Sequence, residues 1–151
     1  MSRNAEVADR LEEMADRLEA LDVEYKPRAY RQAAEQIRGH TVAIERLAAE
    51  GEDAVKGIDR VGDAIAAKVV EYVETGSIEE LEELRAELPV DIDALTAVEG
   101  VGPKTVADLY EALGVTDLDD LAAAADEERI RDVPGFGPKT EENILENLAF
   151  A

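Results

Sequence analysis

Gly-x-Gly-Pro-Lys-Thr occurs twice in this chain, at Gly100–Thr105 and at Gly135–Thr140. Each copy follows an apolar residue, Val98 or Val133, and leads into an apolar stripe. Glycines one residue apart let the backbone turn sharply. A proline just after them suits the first turn of a helix, where its missing N–H is not needed. Both copies therefore mark a place where the chain must turn and start a helix. A looser third copy, Ile58-Asp-Arg-Val-Gly62-Asp63, carries Arg60 in place of the first glycine. The second glycines are 40 and 35 residues apart, a solenoid-like period, but the segments between them differ.

The rest of the chain reads as helices. Val7, Leu11, Met14, Leu18 and Leu21 step by three and four, with Asn4 as an N-cap. Pro27 opens a second helix with an inner stripe of Tyr30, Ala33, Ala34 and Ile37, ended by Gly39 before the lone His40. Thr41–Ala49 reads as a third helix closed by Gly51, and Val55–Gly76 as the first hairpin-like stretch. Ser77-Ile-Glu-Glu80 has the form of a capping box opening a helix through Glu87. Pro89 breaks the chain. Short helices then follow at Ile92–Val98, Thr105–Leu113, Asp117–Ala125, Glu127–Asp132 and Thr140–Leu148. No segment alternates as a strand, so the expected fold is all-α, with domains at 1–88 and 89–151.

Composition narrows the class. There are no cysteines, which excludes disulfides and thiolate metal sites. The apolar runs are too short to span a membrane, and the N-terminus has no signal-peptide core, so the cytoplasm is the expected compartment. The formal net charge is -21, from 37 acids against 16 bases. The acids lie along helix faces rather than in one block, which argues against an acidic tail or DNA mimic. They suit a solvated surface, and more sharply a cytoplasm of molar salt. At about 1 M salt the Debye length is roughly 3 Å, so dense carboxylates barely repel.

A glycine turn feeding a helix N-terminus is an anion site. Its first N–H groups have no partner within the helix, and glycine allows a phosphate to come close. Lys104 and Lys139 can meet the same phosphate, while Thr105 and Thr140 can donate hydroxyls. Such contacts grip a nucleic-acid backbone without reading sequence. A dinucleotide fingerprint fails, because Thr105 replaces its third glycine and no strand precedes the turn. A P-loop fails on Pro103. The plain alternative is a tight turn joining two packed helices.

Val98-Glu-Gly-Val-Gly-Pro-Lys-Thr105 and Val133-Pro-Gly-Phe-Gly-Pro-Lys-Thr140 resemble the helix-hairpin-helix DNA-binding motif. Nearly the whole chain is similar to the N-terminal part of family X DNA polymerases, in their bacterial and archaeal branch. Tyr25-Lys-Pro-Arg-Ala-Tyr-Arg-Gln-Ala-Ala34 and Ile58–Leu84 anchor that likeness. The resemblance implies a small lyase-type helical domain holding the 5′-phosphate side of a DNA gap, then tandem hairpins gripping the primer side. It assigns DNA contacts to Gly100, Gly102, Lys104, Thr105, Gly135, Gly137, Lys139 and Thr140. Arg60, Gly62, Lys26, Arg28, Tyr30 and Arg31 join them. It places the Schiff-base lysine of a deoxyribose-phosphate lyase at Lys68, while the residues alone read Lys68 as an exposed helix lysine.

Three departures bear on that likeness. Arg60 replaces a glycine, and Asp63 and Ala64 stand where relatives put small or basic residues. Glu141 and Glu142 suit the helix dipole but would repel a phosphate, so the third hairpin is expected to be the weaker. Polymerase chemistry needs strand-borne carboxylates on two Mg²⁺ ions. Asp91-Ile-Asp93 has such spacing, but it sits at a helix start and reads as capping. No cofactor or metal is expected in this chain beyond a monovalent cation at the hairpins, with Mg²⁺ belonging to an absent polymerase domain. The expected partner is gapped or nicked DNA, with no membrane and with other repair proteins as further partners, the chain being monomeric. The competing readings are a stand-alone hairpin adaptor for protein partners and a working lyase using Lys68.

Overall fold

A computed structural model describes residues 3–149. Among them every regular element is helical. The order is α1 (Asn4–Ala20), α2 (Lys26–Arg38), α3 (Ile44–Glu50), α4 (Glu52–Val55), α5 (Asp63–Thr75), α6 (Glu79–Glu87), α7 (Ile92–Thr96), α8 (Pro103–Leu113), α9 (Leu118–Asp126), a 3-10 turn (Ile130–Asp132) and α10 (Pro138–Leu148). The fold is all-α, with tandem hairpins. No helix of the described residues is long and apolar enough to cross a membrane.

The chain divides into two compact units. One holds the residues through Leu18 with Val23–Ala86; the other holds Glu19–Asp22 and the chain from Glu87 onward. In the first unit α1 buries Val7, Leu11 and Met14, and α2 buries Tyr30, Ala33, Ala34 and Ile37. The stripe of α1 ends at Leu18; Leu21 lies past the helix and is only half-buried. Ile58, Val61, Ile65, Val69, Ile78 and Leu81 complete this core. Glu13 is buried beneath two arginines, accepting from Arg17 Nε at 2.8 Å and from Arg85 Nε and a terminal Arg85 nitrogen at 2.7 Å each. Burial pushes its carboxyl up, but the hydrogen bonds from Arg85 and Arg17 outweigh that and hold it below the usual carboxylate range.

Four expectations about helix starts and extents are corrected. Asn4 serves another helix. Its Oδ1 accepts from the Ile44 N–H at 2.7 Å, and its Nδ2 donates to the carbonyls of Ile37 at 3.0 Å and Val42 at 3.1 Å. It thus starts α3, whose own N-cap is Ala43; the helix begins at Ile44 rather than Thr41. The Ser77 box does not form, since α6 starts at Glu79, whose N–H is taken by the Glu71 carboxylate at 2.7 Å. Glu127–Asp132 is not a helix: Glu128 enters the left-handed region at φ 58, which stops α9, and only a 3-10 turn follows.

In the second unit Leu95, Val98, Val101, Val106, Leu109, Leu121, Ala124, Ile130, Val133 and Ile144 form one apolar cluster. Asp91 caps α7 through the Ala94 N–H, as its position suggested. Asp117 caps α9 through the Asp120 N–H at 2.8 Å, and Asp120 reaches back to the Thr116 N–H at 3.0 Å.

Candidate nucleic-acid interface

The three turns share one backbone. Arg60, Gly100 and Gly135 occupy the left-handed region at φ 70, 93 and 87. Each turn closes with the same hydrogen bond, from Val61 to Ile58, Val101 to Val98 and Phe136 to Val133, at 3.2, 3.0 and 3.0 Å. Each following helix begins with the same contact, Ala66 to Gly62, Val106 to Gly102 and Glu141 to Gly137, at 2.9, 3.0 and 3.1 Å. Arg60 therefore does not swing its turn away. It adopts the glycine conformation at a steric cost of about 1–2 kcal/mol.

The second glycines behave differently. Gly62, Gly102 and Gly137 are N-caps in extended conformations, φ -96, -98 and -121, which any residue adopts. A Cβ built on any of them meets nothing within 4 Å. The fold itself therefore does not require glycine there. No side chain caps these three helices, so their first N–H groups have no acceptor within the helix or from a cap.

The cations around the turns fall into two classes. Lys26, Arg28, Arg60 and Lys139 make no ion pair among the described residues. Arg31 is held by Asp16 at 2.7 Å and Lys104 by Asp22 at 3.3 Å. At the first turn Asp63 opens α5 and pairs with Lys56 at 2.5 Å, so an acid stands where the other turns carry proline. Thr140 is exposed and Thr105 half-buried at their helix starts.

Lys68 and Tyr30 meet in the first unit. The Lys68 ammonium lies 3.7 Å from Glu80, its side chain only 18% exposed, so it is not a free surface lysine. The Tyr30 hydroxyl donates to the same carboxylate at 3.4 Å. Burial, with the charge of Glu80 next, pushes the Tyr30 phenol far above its usual range.

Glu141 is the residue that sequence reasoning misplaced. It does not face a phosphate. It is buried and bonded to the Arg131 N–H at 3.0 Å, to Arg131 Nε at 3.1 Å and to a terminal guanidinium nitrogen at 2.8 Å. Those bonds from Arg131 lower its carboxyl below the usual range. The repeat register held the signal, because Glu141 falls where the other two hairpins place the fully buried Ala66 and Val106. Of the two acids at that helix start, only Glu142 is exposed.

The same turn, three times over, is the signature of one family. A SAM-like helix-hairpin-helix tandem matches residues 52–114 and 92–149, and a helix-hairpin-helix domain matches residues 2–78. The chain belongs to the helix-hairpin-helix family. It is similar to the DNA polymerase/3′-5′ exonuclease PolX of Bacillus subtilis, 30% identical over 130 residues, covering 86% of this chain and 22% of that protein. Shorter likenesses reach the Holliday junction branch migration complex subunit RuvA. That of Methylibium petroleiphilum is 41% identical over 54 residues, covering 36% of this chain and 28% of that subunit. That of Leifsonia xyli is 39% identical over 56 residues, covering 37% and 27%. The chain spans less than a third of the length of each of these relatives.

Proposed function

We propose that this chain binds DNA through its phosphate backbone, without reading base sequence, as the DNA-holding part of a PolX-type repair polymerase. The observation that carries the reading is the open space at Gly62, Gly102 and Gly137. A glycine repeated three times where a Cβ would meet nothing leaves room for something the chain itself does not supply. A phosphate at an uncapped helix N-terminus fits that room. Gly100, Gly102, Lys104 and Thr105 form one grip; Gly135, Gly137, Lys139 and Thr140 form a second. Arg60 and Gly62 form a lesser third, with Lys26, Arg28 and Arg31 on the 5′-phosphate side, and Tyr30 beneath them in the core. Gapped or nicked DNA is the preferred substrate, the chain acts as a monomer, and the cytoplasm is its compartment.

Lys68 belongs to this reading as a strut. Its ion pair with Glu80 ties α5 to α6 and commits the amine to a carboxylate rather than to a sugar. A borohydride trap on a 5′-deoxyribose-phosphate substrate then gives only a background adduct, unchanged in Lys68→Ala.

The decisive test is fluorescence anisotropy on a one-nucleotide-gapped duplex bearing a 5′-phosphate, with intact duplex as control. KCl runs from about 0.1 M to 2 M, and circular dichroism is read at each step. Gap-preferring binding wherever the helices are intact supports the reading. No binding under those conditions overturns it in favour of an adaptor for protein partners.

A further inference from the structure

Lys104 opens α8 from the second Gly-x-Gly turn, and Lys139 opens α10 from the third. Their local sequences are the same, but their surroundings differ. Lys139 has no ion partner among the described residues. Lys104 has one from far away in the chain: Asp22 Oδ1 lies 3.3 Å from its Nζ. Asp108, one turn along α8, is the partner that helical spacing would supply, and it makes no ion pair among the described residues.

Asp22 is held in place by its own backbone. It lies just past α1, its N–H donates to the Glu19 carbonyl at 3.0 Å, and its φ of 63 is left-handed. Aspartate and asparagine adopt that conformation more readily than other residues that carry a side chain. The carboxylate is thus presented to the amine by a local turn. Both side chains are exposed, 79% for Asp22 and 68% for Lys104, so DNA can reach the pair.

We propose that Asp22 is an internal competitor for the phosphate at the second hairpin. A carboxylate oxygen and a phosphate oxygen make the same charge-assisted bond to one ammonium. Without DNA, Asp22 occupies Lys104. With DNA, it must give the amine up and then stands as a like charge beside the phosphate. Salt therefore acts in two opposing ways. It weakens the lysine–phosphate contact, and it also screens the lysine–aspartate contact and its repulsion of DNA. The affinity of the natural chain falls less steeply with salt than the count of its cationic contacts implies. This inference rests on the DNA-binding reading above.

The test compares the full chain with Asp22→Asn, Lys104→Ala and the double variant on the gapped, 5′-phosphorylated duplex. Asparagine keeps the shape and the left-handed turn; Asp22→Gly also fits φ 63 and is the second variant should the first lose helicity. At about 0.1 M KCl, Asp22→Asn binds roughly threefold to tenfold more tightly than the natural chain, as expected for removing one charge about 6 Å from a phosphate. Its log–log salt slope is steeper by up to about 0.9, one phosphate contact. The two proteins converge towards molar salt, and in Lys104→Ala the gain shrinks to the part due to direct repulsion between Asp22 and the phosphate. Asp119→Asn, an equal charge change at an exposed site on α9, gives a smaller gain. A gain undiminished in Lys104→Ala, or one that Asp119→Asn matches, overturns the latch as mere charge. No gain in Asp22→Asn, while Lys104→Ala weakens the natural chain, overturns the latch and leaves DNA binding standing. No binding by any of the proteins with helices intact overturns both.

Discussion

The first hairpin and the third have the same backbone and opposite chemistry. Both turns place a left-handed residue, φ 70 at Arg60 and φ 87 at Gly135, before an extended glycine and an uncapped helix. The first turn fills that geometry with a strained arginine, an acid at the helix start and an ion pair from Lys56. The third leaves Lys139 free among the described residues and turns its troublesome acid, Glu141, inward onto Arg131. Backbone geometry is thus preserved where side-chain chemistry has diverged. A hairpin's capacity to hold phosphate depends on which charges its neighbours neutralise. For the third hairpin this removes one of the two acids on which the expectation of weakness stood.

The largest effect is expected beneath the first hairpin. Glu13→Ala removes the carboxylate shared by the buried Arg17 and by Arg85; the loss is about 3–5 kcal/mol in urea denaturation. Acid does the same reversibly. The folded carboxyl of Glu13 lies below its unfolded value, so its contribution is complete above the unfolded pKa, about 4.3, and disappears as pH falls through the depressed folded value. Circular dichroism against pH should show stability declining only below about pH 4.5 for that reason. If Glu13→Ala follows the same curve as the natural chain, this account is wrong.

Next comes the open glycine. A Cβ at Gly137 meets no atom within 4 Å, so Gly137→Val should keep its helix, yet it places bulk where a phosphate must approach. DNA affinity should drop tenfold or more, about 1.4 kcal/mol, at unchanged helicity. Gly62→Val in the first hairpin should cost far less, and equal losses would erase the contrast between the two turns. A smaller effect separates the lysines. Lys139→Ala should weaken binding about fivefold and Lys104→Ala about twofold at low salt, because Lys104 must first leave Asp22. The smallest is a gain: Arg60→Gly relieves the left-handed strain and should stabilise the chain by about 0.5–1 kcal/mol, net of glycine's entropy. Unchanged or lower stability would mean that the Arg60 side chain makes up for its backbone.

Much of this protein was legible in its sequence because the signals are local. Glycine spacing, proline at a helix start and three-and-four apolar periodicity act within a few residues. They locate the turns, the helix faces and the all-α class whatever packs around them. The buried faces of α2 and the cap at Asp91 read directly for that reason. What only the tertiary structure decided are contacts between residues far apart in sequence. Asn4 starts a helix 40 residues away, Glu71 displaces the cap that Ser77 promised, Glu80 occupies Lys68, and Asp22 occupies Lys104. A polar side chain bonds to whatever folding brings within about 3 Å, and no spacing rule along the chain encodes that neighbour. Local sequence set which cations stand at the turns, and packing decided which of them remain free to meet a phosphate.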